Sequence, residues 1–336
     1  DIDLLAELGY MNSFGAGGDG IGSVGVCTVN LSGVALESRK TASDKGTDPE
    51  KEYEALLESV ASDARRVVEV RRAMVETNVK KGLLPLYTHG FIDLNSQYCT
   101  VGITGMYEAG HFLGRTADLD EYMKFAKRSL SILNEGNLER AKETGIPFNL
   151  EQVPGENMAV KMAEKDKARG LQTEFRIYSN QWLPLASSAD VFTRIEFAGE
   201  LDPKCSGGAI LHLTVDGKIT AEAQRRILDF AVRKGVVYFA FNTTMSKCAS
   251  CGWLGHGEFS SCPECGAAGT MEAWTRVVGF VTPVSDWNRE RRAEFGRRTR
   301  YQFSAKRKDM TEEALCETED QKSADNKSES ELRMTA

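Results

Sequence analysis

Long apolar runs are missing from this sequence. Nowhere do the ~18 consecutive apolar residues of a membrane span occur, and the first residues show no signal-peptide pattern. A basic excess is missing too: 42 Lys and Arg stand against 49 Asp and Glu, a formal charge of -7. The surface as a whole is therefore not built to wrap nucleic acid, although a local phosphate site stays open. No internal repeat recurs. Eight cysteines in 336 residues are too sparse for a disulfide scaffold. Four of them fall into two CxxC pairs, which points to a metal in a reducing cytoplasm. An initiator methionine is also lacking, Asp1-Ile2-Asp3 coming first, so the chain is expected to be a piece of something longer. What is present is 41% hydrophobic and 27% charged residues, enough to bury one large core or two ordinary ones and to exclude disorder for the bulk of the chain.

The glycine-rich stretch 13–22 fits neither P-loop nor dinucleotide spacing, and reads either as a weak phosphate loop or as a turn. It feeds an apolar, β-branched run from Val24 to Leu31, expected as a buried strand. Over 52–81, Leu56, Leu57, Val60, Ala64, Val67, Val68 and Val75 recur at helical spacing with Glu and Arg on the other faces, the pattern of an amphipathic helix. Strand-like runs are expected over 98–103, near 173–178, over 208–215 and, as a buried strand, over 236–241. Helices are expected after Gly105 and over 119–133, 155–169 and 221–234. Strands alternating with helices argue an α/β fold. Residues 304–336, rich in Lys, Glu, Asp and Ser, read as a solvated, largely disordered tail in which Cys316 is incidental.

Cys248-Ala249-Ser250-Cys251 and Cys262-Pro263-Glu264-Cys265 form two tight knuckles, each followed by a glycine, Gly252 and Gly266. Four thiolates brought together by a short hairpin suit a tetrahedral, closed and hence structural zinc site. His256, lying between the pairs, is a competing ligand, and iron or an iron-sulfur group is the competing metal. Soon after the last cysteine come Arg276-Val277-Val278-Gly279-Phe280 and then a basic run, Arg289, Arg291, Arg292, Arg297, Arg298 and Arg300. Taken singly, Gly279 reads as a turn glycine and the arginines as a solvated helix face.

Together these residues resemble the C-terminus of the anaerobic (class III) ribonucleotide reductase catalytic subunit, where a four-cysteine zinc site precedes an R-V-x-G-[YF] loop. Further segments are similar to that family in the same order: 22–31 to G-S-I-G-V-V-T-I-N-L-P, 101–108 to I-G-x-x-G-x-Y-E, 153–157 with 165–167 to T-P-A-E…K-x-D-K, 178–184 to Y-T-N-S-x-x-x-P, and 205–208 to a glycine pair before a strand. The resemblance implies an α/β fold of the glycyl-radical-enzyme type. Residues 1–243 would be the second half of a ten-stranded α/β barrel, 244–303 a small zinc ribbon with the glycyl-radical loop, and 304–336 the tail. It implies reduction of ribonucleotides, taken as triphosphates, to DNA precursors without oxygen. Gly279 would store a radical installed by a radical-SAM activating enzyme. A glycine α-carbon holds such a radical because both flanking amides delocalise it and no Cβ opposes planarity. Apolar neighbours at 277, 278, 280 and 281 imply burial from solvent and oxygen.

Other roles follow from the same resemblance. Glu156 matches an acidic residue at the substrate pocket and would handle protons there, against a reading as a helix-start carboxylate. Asn30 would bind substrate or sit in a buried strand. Cys27, Cys99 and Cys205 are each either a second redox thiol or buried and inert. The cysteine that forms the thiyl radical precedes residue 1 in the family, so the chain alone is expected to be inactive, to need its N-terminal half, and to leave the reductant, formate or a dithiol protein, open. A homodimer is implied, and neither a membrane nor direct nucleic-acid contact. Two rivals remain at this point: a glycyl-radical enzyme of the lyase type, and a non-enzymatic zinc ribbon that binds nucleic acid.

Overall fold

The computed structural model describes residues 20–303 apart from 218 and 278. The glycine-rich residues before Gly20 and the tail from 304, with Cys316, lie outside the described residues. Strands β1 (Gly22–Asn30), β2 (Gln97–Thr104) and β3 (Phe148–Gln152) pair in parallel in that order, and β4 (Leu211–Val215) pairs in parallel with β5 (Phe239–Thr243). A parallel bridge between Glu151 and Gly208 sets the two groups side by side. Parallel neighbours need crossovers, and helices supply them. Between β1 and β2 run α1 (Leu31–Lys45), α2 (Pro49–Lys80) and the short α3 (Pro85–Thr88). Between β2 and β3 run α4 (Met106–Phe112) and α5 (Leu119–Thr144), between β3 and β4 α6 (Glu156–Ala168) and α7 (Val191–Leu201), and between β4 and β5 α8 (Ala221–Arg233). The α/β expectation holds.

The core lies between the sheet and its helices. Val101, Ile103, Leu150, Leu211 and Leu213 face Leu57, Ala61, Tyr122, Leu130 and Ile195 in one buried cluster. Asp48 caps α2 by accepting from Glu50 N at 2.9 Å, with Pro49 at the first helical position, where its missing N–H costs nothing. Gly145 closes α5 in a left-handed turn at φ +70°. Leu213 is fully buried. Leu213→Ala is expected to lower unfolding free energy by about 2–5 kcal/mol, measurable as a drop in the urea midpoint at unchanged m.

Several sequence expectations are corrected. The first strand stops at Asn30 because Asn30 caps α1, its side chain accepting from Gly33 N at 3.1 Å, so Leu31 is helical. In α2 the buried stripe includes Arg65 and Arg72, while Val67 is exposed. Arg65 is held by Glu58 and Asn137, and Arg72 donates to the Gln97 carbonyl at 2.9 Å. The helix expected over 119–133 continues to Thr144. No strand forms near 173–178; Phe175 instead packs its ring against His111 and Phe112. The buried strand expected over 236–241 begins only at Phe239 and is half-buried, because β5 is flanked by one strand alone among the described residues.

The chain then passes directly from β5 into a second, antiparallel sheet in the order β7-β6-β8-β9, built of β6 (Met245–Cys248), β7 (Leu254–His256), β8 (Met271–Arg276) and β9 (Val281–Pro283). Helix α9 (Arg289–Arg297) follows and packs back on the parallel sheet. Ile210, Val277, Trp287 and Phe295 form their own buried cluster with Ala240 and Val284 against it.

Candidate functional site

The two CxxC knuckles are built alike. Gly252 N donates to the Cys248 carbonyl and Gly266 N to the Cys262 carbonyl, each at 2.9 Å, with both glycines left-handed at φ +79° and +72°. The four Sγ atoms lie within 4.8 Å of one another, Cys248 to Cys265 at 3.8 Å and Cys251 to Cys262 at 3.6 Å. A tetrahedron of sulfurs with metal–sulfur bonds of ~2.3 Å has edges near ~3.8 Å, so the donor set fits one closed four-sulfur metal site. His256 sits at the end of β7 and is not among the clustered ligands.

Beyond this sheet, β8 and β9 form a hairpin in which Arg276 pairs with Val281, and Gly279 lies in the loop between them. The loop points toward the start of α6. A Cβ built on Gly279 would lie 3.5 Å from Glu156 Oε1, its sole neighbour within 4 Å among the described atoms. Glu156 stands in the first turn of α6 after the left-handed Gly155, and its carboxylate faces Gly279. Two residues far apart in sequence, both singled out above, therefore meet. Burial of the loop is not borne out in this chain. Val277 is buried, but Gly279 is exposed and Phe280 is 85% exposed, because the hairpin tip reaches past the described strands.

The arginine run is not a solvated face. Arg291 and Arg298 are buried, whereas Arg289, Arg292 and Arg297 are exposed and Arg300 pairs with Glu258 at 2.9 Å. Arg291 donates to the carbonyls of Gly155 and Glu156, each at 3.2 Å, and Arg298 donates to the Arg276 carbonyl at 3.0 Å. Buried Glu294 lies between the two guanidiniums, accepting from Arg298 at 2.8 and 3.0 Å and standing 3.5 Å from Arg291.

One face of the parallel sheet is polar. Thr28, Gly102 and Glu151 share a register row, which the bridge extends to Gly208. Burial pushes the Glu151 carboxyl up to about 7. Glu108 is pushed to about 7 by burial, opposed by the backbone N–H donors at its own residue and at Ser179 and by the Arg291 charge. His212 is depressed to about 4 by burial and is therefore neutral at pH 7, with Asn242 Nδ2 donating to its Nδ1 at 3.0 Å. Sequence reasoning missed these three and Glu294. Strand β3, in which Glu151 stands between Leu150 and Gln152, itself went unrecognised.

Asn30 commits its side chain to Gly33 N and, at 2.7 Å, to buried Asp166, which also accepts from the Tyr178 hydroxyl at 3.0 Å. Cys27 is half-buried with its thiol pKa raised by burial; Cys99 is fully buried, with burial the first cause of a rise to about 11. Cys205 is buried beside Asp202, and its thiol is raised as well, chiefly by burial. Because Cys99 is fully buried and its thiol is raised well above pH 8, iodoacetamide at that pH should leave Cys99 unmodified in the folded chain long after the denatured chain has reacted fully. Rapid native labelling of Cys99, read by peptide mass, would contradict this environment.

No helix among the described residues is long and apolar enough to cross a membrane. A family model described as anaerobic ribonucleoside-triphosphate reductase matches residues 6–301. The chain is 24% identical to the anaerobic ribonucleoside-triphosphate reductase of Haemophilus influenzae and 25% identical to that of Escherichia coli, in each case over 78% of this chain and 40% of the relative. Among solved structures, an anaerobic ribonucleotide reductase superposes with a TM-score of 0.77 at 37% identity, covering 90% of this chain and 49% of that one. The Thermotoga maritima enzyme with glycerol in its active site gives 0.73 at 37% identity, over 84% and 45%. The chain thus spans less than half the length of these relatives. Because the match takes in the parallel sheet, the four-cysteine sheet and the Gly279 hairpin together, a free-standing nucleic-acid ribbon does not describe it, and the chain belongs to the anaerobic ribonucleoside-triphosphate reductase family.

Proposed function

We propose that this chain is the radical-storing part of a catalytic subunit that reduces ribonucleoside triphosphates to deoxyribonucleotides in the absence of oxygen, supplying DNA precursors. Gly279 holds the stored radical, and Glu156 exchanges protons with the ribose hydroxyls at the C-terminal end of the parallel sheet. Cys27 and Cys99, whose thiols burial shifts away from the thiolate form, are assigned no nucleophilic role. The five parallel strands are one half of a ten-stranded barrel. The other half, carrying the thiyl-forming cysteine, covers the exposed Gly279 loop and pairs with β1 and β5, the outermost parallel strands among the described residues. A zinc ion held by Cys248, Cys251, Cys262 and Cys265 supplies a structural crosslink with no open coordination position. A radical-SAM activating enzyme and a second copy of the subunit are the partners.

The observation that carries this reading is that Gly279, in the hairpin that continues the four-cysteine sheet, stands against the Glu156 carboxylate. A Cβ there would meet Glu156 Oε1 at an ordinary 3.5 Å, so crowding does not demand glycine. The chemistry this position offers is that of a Cα flanked by two amides and free of a side chain. The test uses the chain completed with its N-terminal half, activated anaerobically and then exposed to air. Cleavage at Gly279 should release 280–336, a peptide of about 6 kDa on the chain's average of 37.0 kDa per 336 residues. A chain that gives a glycyl signal but stays whole in air would refute the assignment to Gly279.

A further inference from the structure

Helix α9 grips both walls of the Glu156–Gly279 contact at once. Arg291 holds one wall through the Gly155 and Glu156 carbonyls at 3.2 Å, and Asn288 adds a side-chain bond to Asn157 at 2.8 Å. Arg298 holds the other through the carbonyl of Arg276, the last residue of β8 before the Gly279 loop, at 3.0 Å. The two guanidiniums meet a single carboxylate, Glu294, 7% exposed between arginines that are each 4% exposed. Two buried cations sharing one anion tolerate little displacement. Removing the anion leaves both uncompensated in a region of low dielectric, whereas bonds to charged groups with good geometry fix orientation. Trp287 completes the arrangement, the Arg298 guanidinium lying 5.3 Å from its ring centre.

We propose that Glu294 is a positioning residue: by fixing Arg291 and Arg298 together it holds the start of α6 against the Gly279 hairpin and so sets the Glu156 carboxylate on Gly279. Glu294 touches neither Gly279 nor, on this account, the substrate. It acts through two arginines that reach backbone carbonyls on opposite sides of the site. That such a contact serves turnover rests on the function proposed above; the clasp itself does not.

Two measurements test it. The first is hydrogen exchange on this chain. Glu294→Gln should speed exchange by about tenfold or more in both the start of α6 and the β8–β9 hairpin, with the cysteine knuckles and β2 unchanged. Arg291→Met should open only the α6 segment, and Arg298→Met only the hairpin. If Glu294→Gln leaves either segment at wild-type protection, or loosens β2 equally, the clasp is wrong. If that variant does not fold, the two arginine variants decide, and anything but their separate patterns overturns the proposal. The second uses the completed, activated subunit. Glu294→Gln should keep the Gly279 radical signal but lose about 100-fold in kcat, the scale of an ångström's misplacement, with KM for the ribonucleotide within about threefold. Arg298→Lys, which keeps the charge, should recover part of the kcat lost in Arg298→Met. Wild-type kcat in Glu294→Gln, or loss of the radical signal with the fold, overturns the role in turnover. Absence of any glycyl signal in the wild type would instead count against the proposed function, and the exchange pattern would still decide the clasp.

Discussion

Replacing Gly279 by alanine is expected to leave the fold intact and to abolish both the radical and turnover. The two halves of that outcome have separate causes. Folding tolerates alanine because the new methyl group would meet Glu156 Oε1 at 3.5 Å, an ordinary contact. The site is exposed, so the change in unfolding free energy should stay within about 0.5 kcal/mol. Function does not tolerate it, because a substituted Cα loses the hydrogen geometry and the planarity that stabilise a radical between two amides. In the completed and activated subunit, the glycyl doublet seen by electron paramagnetic resonance should vanish, and with it air-induced cleavage and nucleotide reduction. Gly252→Ala is the control in the opposite sense. Gly252 has φ +79°, a conformation that costs a side-chain-bearing residue about 1–2 kcal/mol, so its replacement should weaken the cysteine knuckle while leaving the chemistry at Gly279 intact. A Gly279→Ala subunit that still reduces nucleotides would remove the radical from this residue. One that unfolds would mean that the glycine serves the backbone after all.

Loss of the metal should have the other large effect. The sheet β6 to β9 has few apolar side chains of its own to bury: Cys248 and Cys262 are buried at its centre, while Leu254 and Val281 are exposed. Small modules of this kind depend on the ion, with binding free energies of order 10 kcal/mol for structural zinc at neutral pH. Cys262→Ser, or a strong chelator, should therefore release the ion and melt β6 to β9. The Gly279 hairpin should lose its protection with them, because β8 pairs with both β6 and β9. The parallel sheet has its own core, built around Leu150, Leu211 and Leu213, and should melt in a separate, largely unchanged transition. Metal content by mass spectrometry, far-ultraviolet dichroism and hydrogen exchange would check each part. Acidification should act in the same direction as chelation, since protons compete with the metal for the four thiolates. Retention of hairpin protection in metal-free Cys262→Ser would show that packing on Trp287 and Phe295, rather than the ion, holds the loop.

Much of this was legible beforehand where the determinant is local. The knuckle geometry needs only a CxxC turn and a following glycine, and both glycines adopt the left-handed conformation their position implies. Helices α2, α5, α6 and α8 follow the apolar spacing or fall where it placed them. Legibility failed where a residue's environment is made by distant segments. Asn30 reads as a strand residue and is the last of β1, but that it also caps α1 and ends the strand there was not visible, because a strand's end is set by the helix that takes over. Phe175 had the apolar alternation of a strand, yet its ring is used by His111 and Phe112 rather than its backbone by a ladder. Arg65, Arg72, Arg291 and Arg298 read as surface charges and are buried. A guanidinium can be buried wherever carbonyls and carboxylates converge on it, and sequence spacing does not reveal that convergence.

The alternation of strand and helix, the four-cysteine cluster and the glycine in its hairpin could be read from residue order alone, because each depends on neighbours within a few residues and is encoded by side-chain type and spacing. Tertiary packing alone brings Glu156 to Gly279 and lets Arg291 reach the carbonyls of Gly155 and Glu156, 136 and 135 residues before it in the chain. Contacts at that separation exist only once the parallel sheet and its crossovers have buried their apolar faces and fixed where the ends of the strands point.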